Sequence, residues 1–361
     1  VGFELGHADV APLAAGAWIL GTGGGGSPYL SRLNLERDLA DGTTCRVIGA
    51  DELDDRAMVA VVSSMGAPLV GQERLADPDQ LIRAVEVMEE VTGLHLSAVM
   101  AVEIGGSNGL APFLVSARTG LPVVDADAMG RAFPEQQMTS FSIGGLSPVP
   151  LAVVDVRRNE AVISQAASWQ WMERMSRALC TEMGSRAATC KAPRTAAEVR
   201  EWGIHGTVSK ALSLGRAVAA AQAGRHDPVG AVLAHEEGRV LLEGKVVDVE
   251  RETTAGFIRG SVRIAGSGAG DDTMALHFQN EWAVAMVDGR PVCTTPDLIC
   301  LLDLDSGEAI GTETVRYGQR VAVVALPSPE VLRTERGLEL VGPRAFGYDF
   351  DHVSAFTEVG A

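Results

Sequence analysis

The chain has 361 residues, 46% of them hydrophobic and 21% charged, which excludes a disordered chain and predicts a buried core spread over about two domains. Its 30 basic and 47 acidic residues leave a net charge of −17, a surface that repels nucleic-acid backbones and anionic membranes. Five cysteines without CxxC spacing predict a reduced, cytoplasmic protein rather than a disulfide framework or zinc ribbon. No basic and apolar leader opens the chain and no apolar run reaches ~18 residues, so neither a signal peptide nor a membrane span is expected. A first residue of Val predicts a chain trimmed at its start.

Asp9 is placed to cap a helix running to Leu20, which stops at Gly21-Thr22-Gly23-Gly24-Gly25-Gly26. Ser27-Pro28 then starts a second helix to about Leu39. Three apolar runs without alternation follow, Met58–Val62, Ala98–Val102 and Leu121–Val124, separated by helical stretches at about Pro78–Val91 and Leu110–Arg118. That order predicts a parallel sheet with helices on both faces. Leu151–Val156 and Ala161–Ser164 read as a strand pair around the turn Arg157–Glu160. Trp169–Met183 and Ala196–Ala223 read as helices. From Gly230 strands and turns dominate, with turn signals at Glu236–Gly238, Asp288–Gly289 and Ser306–Gly307. The expected fold class is α/β. A parallel-sheet N-terminal domain covered by helices, residues 1–165, precedes a β-rich C-terminal domain with a helix pair, residues 166–361.

Strands of a parallel sheet end at one edge, and ligands bind there. The loops Ser63-Ser64-Met65-Gly66, Glu103-Ile104-Gly105-Gly106-Ser107-Asn108-Gly109 and Asp125-Ala126-Asp127-Ala128-Met129-Gly130-Arg131 follow the three apolar runs and are expected on one rim. Carboxyls gathered there, Glu103, Asp125 and Asp127, raise one another's pKa, so one can act as acid while another acts as base. The loop from Thr22 through Gly23, Gly24, Gly25 and Gly26 precedes a helix N-terminus and is suited to present N–H groups to an anion or developing oxyanion. Only three lysines occur, the first at 191, so an anion site in the first half is expected to rest on backbone N–H groups or on an arginine such as Arg131.

Gly105–Gly109 also matches G-x-S-x-G, which leaves open a Ser107 nucleophile completed by Asp127 and one of His205, His277 and His352. No HxH or HExxH spacing occurs, so no cofactor is expected, while a divalent metal held by Asp, Glu and His from distant positions stays open. Late in the chain, Gln279-Asn280-Glu281, Pro296-Asp297 and Gly347-Tyr348-Asp349 set polar groups among apolar strand residues, either as bridges between domains or as a cleft wall.

In combination these segments resemble the S-methyl thiohydantoin desulfurases, a family associated with hydantoinase and oxoprolinase proteins. The resemblance rests on Gly21–Pro28, Glu103-Ile104-Gly105-Gly106 with Asn108, Asp125–Glu135, Gln137-Met138-Thr139, Phe278–Glu281, Pro296-Asp297-Leu298 and Pro343–Asp349. It covers nearly the whole chain in order. It implies two domains and hydrolysis of a small five-membered cyclic amide or amidine, without partners in nucleic acid or membrane. Within it, the expected base is Glu103 or Asp127 and the expected acid Glu135 or Asp297. Substrate binding is expected from Thr22, Gly23, Gly24, Gly25, Gly26, Ser64, Met65, Asn108, Asp125, Arg131 and Glu281. Two other readings stay open: a non-catalytic subunit or ligand-binding partner of a hydantoinase- or oxoprolinase-type complex, and the Ser107 hydrolase. Beside the small-molecule substrate, the partner expected is a second copy of the chain or a hydantoinase-like protein.

Overall fold

The computed structural model describes residues 2–67, 70, 75, 77–254, 257–268 and 272–356. The first sheet has eight strands in the order β1-β2-β5-β4-β3-β9-β7-β8. They are β1 (Phe3–Leu5), β2 (Cys45–Ile48), β3 (Met58–Gly66), β4 (Leu96–Ala101), β5 (Val123–Val124), β7 (Leu151–Val154), β8 (Glu160–Ile163) and β9 (Arg186–Thr195). The three apolar runs form β3, β4 and β5, which with β2 make the parallel center β2-β5-β4-β3, with crossover helices at Asp79–Thr92 and Ala111–Thr119. The sheet is nevertheless mixed: β1, β9, β7 and β8 are all antiparallel to their neighbors. β9, from beyond residue 165, lies between β3 and β7.

A second sheet is antiparallel throughout, in the order β15-β14-β13-β12-β11-β17-β16. Its strands are β11 (Arg239–Thr254), β12 (Phe257–Gly266), β13 (Thr273–Gln279), β14 (Glu281–Val287), β15 (Arg290–Thr294), β16 (Leu298–Asp303) and β17 (Arg320–Leu326). Asp288 and Gly289 both have positive φ at the β14–β15 turn, as the sequence signal requires.

The stretch expected as one helix over Ala196–Ala223 is instead two, Ala196–Trp202 and Thr207–Gly224. Between them β10 (Ile204–His205) pairs with β6 (Ala126–Asp127), and Gly206 turns the chain at φ +73°. Asp125 fixes this break by accepting the Val208 and Ser209 N–H groups and the Ser209 hydroxyl. Helical periodicity runs through the interruption, so spacing alone does not reveal it. Helices Pro228–Glu236 and Glu335–Val341 also lie where strands and turns were expected, both too short for a clear period.

Helices His7–Leu20 and Thr207–Gly224 cross with backbones in contact, and one apolar core runs from the first sheet through them to β16 and β17. A Cβ on Gly215 would stand 1.8 Å from Pro12 O, and one on Gly16 1.8 Å from Ala211 O. Gly215→Ala is therefore expected to lower unfolding free energy by about 2 kcal/mol or more, since neither backbone can retreat. Urea denaturation checks this; an unchanged midpoint would contradict the close crossing.

Candidate active site

β3, β4 and β5 run in one direction, so their carboxyl ends deliver three loops to one edge. A cavity of about 380 Å³ lies there, lined by the β3 end from Ser63 to Ala67, by Val102, Glu103, Ser107 and Asn108, and by Met129 and Phe133–Gln136. Gly25 and Gly26 close one side, β9 contributes Arg186 and Lys191, and the second sheet's side contributes Asn280, Glu281, Glu313 and Thr314. An annex of about 190 Å³ shares Leu30, Ser31, Ser64 and Arg186.

Glu103 is 6% exposed and held at both oxygens: Asn108 Nδ2 donates to Oε1 at 2.6 Å, and the Phe133 N–H to Oε2 at 3.1 Å. Burial pushes its pKa up to about 7, against those hydrogen bonds and the charges of Lys191 and Arg131. Asn108 is itself fixed, its Oδ1 taking the Ser64 N–H at 2.7 Å and its Nδ2 also reaching Ser64 O at 3.3 Å. Glu281 opens β14 and accepts the Gly25 N–H at 3.3 Å, while its Oε2 has no hydrogen-bond partner. Burial first, then the Glu103 carboxylate, hold its pKa well above the usual range. Lys191, also 6% exposed, donates to Gln136 Oε1 at 2.6 Å, and burial brings its pKa down to about 8. Burial raises the pKa of Glu313 as well, so the cavity is lined by three carboxyls displaced upward and one ammonium displaced downward.

The S-Me-THD-like N-terminal domain matches residues 8–165, and the S-Me-THD-like C-terminal domain residues 167–355. The chain belongs to the S-Me-THD-like family. Membership supports a hydrolase or desulfurase type of function in general. No curated protein matches the chain. A crystal structure of a protein from Chromobacterium violaceum shares the fold, with a TM-score of 0.80 at 24% identity over 98% of this chain and 100% of that one.

In this S-Me-THD-like chain, Glu103, Glu135, Gly25, Gly26, Ser64, Met65, Asn108 and Glu281 line the cavity. Glu135 accepts from the Gln137 and Gln279 amides. The other expected site residues do not line it. Asp127 is fully buried and turned into its own loop, Oδ2 taking the N–H groups of Ile104, Met129 and Gly130. Asp125 caps helix Thr207–Gly224, as described above. Asp297 accepts the Ser328 and Ser354 hydroxyls at 2.9 and 2.6 Å. Arg131, expected to bind substrate, is fully buried with all five N–H groups committed to Ala132 O, Pro296 O, Asp297 O, Thr22 Oγ1 and Trp282 O.

Thr22, Gly23 and Gly24 form the inner side of the glycine loop. The Thr22 carbonyl takes the Trp282 N–H and that of Gly23 takes the Thr312 N–H. A Cβ on Gly24 would stand 2.0 Å from Glu281 Oε1, so glycine there makes room for a site carboxyl. The Ser–Asp–His arrangement does not form. Ser107 Oγ meets Ser31 Oγ at 2.7 Å, Asp127 is turned away, and no histidine lines the cavity among the described residues. No cluster of three or more His, Cys, Asp or Glu side chains suited to a metal ion occurs among the described residues either. No helix among them is long and apolar enough to cross a membrane.

The sequence reading missed Lys191, Arg177, Arg186, Gln136 and Glu313 as cavity residues. The signal for Lys191 was a lone lysine inside the apolar strand Ala187–Ala192.

Proposed function

We propose that the chain hydrolyzes a small five-membered cyclic amidine, an S-methyl thiohydantoin, to a hydantoin and methanethiol. The observation that carries this reading is the pair Glu103 and Glu281 in one small cavity, one carboxyl able to ionize near neutral pH and the other holding its proton. Glu103 takes a proton from water as its oxygen attacks the ring carbon between the two nitrogens, and Glu281 gives its proton to the ring nitrogen whose C=N bond opens. Glu103 then returns its proton to the departing sulfur as the C–S bond breaks. The new hydroxyl loses its proton to Glu281 and becomes the hydantoin carbonyl, so both acids end as they began.

Lys191 supplies positive charge to the cavity as the tetrahedral adduct forms. Asn108 keeps Glu103 in one rotamer, and the annex beside Arg186 has room for the ring's substituent. The site draws Glu103 from the part of the chain proposed as its first unit, 1–165, and Lys191 and Glu281 from the second, 166–361.

Thiol release from a 2-methylthio-hydantoin, followed with a colorimetric thiol reagent, tests the reaction. Steady enzyme-dependent release is expected; none from folded protein would move the reading to another cyclic amide or to a partner subunit. The profile of kcat/KM against pH should rise as Glu103 loses its proton near about 7 and fall as Lys191 loses its own near about 8. A profile that stays level well below the first of those values and well above the second would rule out both roles.

A further inference from the structure

Lys191 enters the cavity wall from β9, and its only protein acceptor among the described residues is neutral: the ammonium donates to Gln136 Oε1 at 2.6 Å. The carboxylates nearby are committed elsewhere. Glu173, on helix Trp169–Glu182, accepts the Arg177 Nε–H at one oxygen and the Gln136 N–H at the other. Glu103 accepts from Asn108 and from the Phe133 N–H. The Cys190 thiol, next along β9, is pushed up to about 12 by burial and stays neutral, and Arg177 is itself a cation. The Gln136 amide has one possible orientation. Ser176 gives its hydroxyl proton to Glu173 O at 3.0 Å, so its oxygen can only accept, and Gln136 Nε2 donates to it at 2.7 Å. That Nε2 also reaches Met65 Sδ at 3.8 Å. The amide oxygen is thereby left for the lysine, a group that only donates.

An ammonium carries three N–H groups, and leaving them without acceptors in a buried place is costly. One meets a neutral oxygen here, which leaves two N–H groups and the charge for whatever occupies the cavity. We propose that Gln136 is a positioning residue, held by Ser176 so that its carbonyl oxygen steers the Lys191 ammonium without neutralizing it and leaves the other two N–H groups for an oxygen of the bound ring or of its tetrahedral adduct. This rests on reading the cavity as the substrate site, and it deepens the part given there to Lys191. A carboxylate at position 136 would hold the ammonium more firmly but cancel the charge that the adduct needs. An apolar side chain would take away the one fixed acceptor and favor the neutral amine. The amide lies between those limits.

Competitive acetylation of the full chain tests this with no turnover required. The only lysines are Lys191, Lys210 and Lys245, so trace acetic anhydride at a series of pH values, followed by peptide mass spectrometry, reads the titration of each amine. Exposed Lys245 serves as the internal standard. In wild type the Lys191 midpoint should fall near about 8. Gln136→Met should move that midpoint down and Gln136→Glu should move it up, each by about one pH unit or more, while Lys245 stays in place. The falling limb of kcat/KM for thiol release should follow, to lower pH in the first variant and to higher pH in the second. A merely structural glutamine would change stability without moving the two midpoints in opposite directions. Gln136→Glu is nearly isosteric and serves by itself if the methionine variant does not fold. Midpoints that stay at the wild-type value, or that move the same way in both variants, overturn the proposal, as does a wild-type Lys191 that acetic anhydride does not reach. Opposite shifts without thiol release would remove the desulfurase reaction and leave the role of Gln136 standing; thiol release with unmoved midpoints would do the reverse.

Discussion

Glu103→Gln is expected to reduce thiol release about 10³-fold while making the protein less sensitive to alkali. The loss follows from removing the base, a contribution of roughly 10²–10⁴ in rate. The gain follows from linkage. The folded-state pKa of Glu103 is raised from 4.5 to about 7, so its contribution to stability is fully present below about 4.5 and is lost as pH rises through about 7. A displacement of that size makes the buried carboxylate cost about 2–3 kcal/mol between pH 5 and pH 8, and glutamine never ionizes. Urea unfolding at the two pH values measures the difference. The variant's stability should fall less than the wild type's over that interval: Asp127 titrates alike in both, and Glu281, freed of the Glu103 charge, is held up by its burial alone. An active variant would refute the base assignment, and an inactive variant with the wild-type pH slope would show that the carboxylate is compensated in the folded state.

This trade of stability for a poised carboxyl explains why the site was only partly legible in the sequence. Parallel apolar strands with polar, glycine-rich ends could be read directly, and they located Glu103, Asn108, Ser64 and Met65 because topology alone brings those ends together. Glu281 was visible as a charge opening an apolar strand. Sequence could not separate a carboxylate facing a ligand from one facing its own backbone. Asp125, Asp127 and Glu103 stand in equivalent loops, yet Asp125 caps a helix and Asp127 gathers three N–H groups. Lys191 was hidden for a different reason. Its strand β9 enters the first sheet antiparallel, pairing Lys191 with Val61, after a long excursion of the chain. Distance in sequence therefore suggested that the rim had no lysine, whereas the non-local pairing supplies one.

Arg131 gives the largest expected loss of stability, and the reason again lies in what the side chain faces. Its guanidinium joins the glycine loop to the second sheet: Thr22 Oγ1 lies on one side, and the carbonyls of Pro296, Asp297 and Trp282 on the other, at 2.7–3.2 Å. Burial lowers its pKa to about 10, still well above neutral, so it stays charged, and it stacks 4.7 Å from the Phe133 ring center. Arg131→Met keeps much of the apolar stem but strands four buried carbonyls and a hydroxyl, which is expected to cost about 3–5 kcal/mol. Arg131→Lys retains the charge with three donors in place of a planar five-donor fork and should cost about half as much. Unfolding measured by both fluorescence and circular dichroism gives the magnitudes. Among molecules that remain folded, KM should stay near the wild-type value because Arg131 does not line the cavity. A variant of wild-type stability with a sharply raised KM would return Arg131 to the substrate; a destabilized variant with normal KM fixes it as the tie that holds Gly25 and Glu281 against each other.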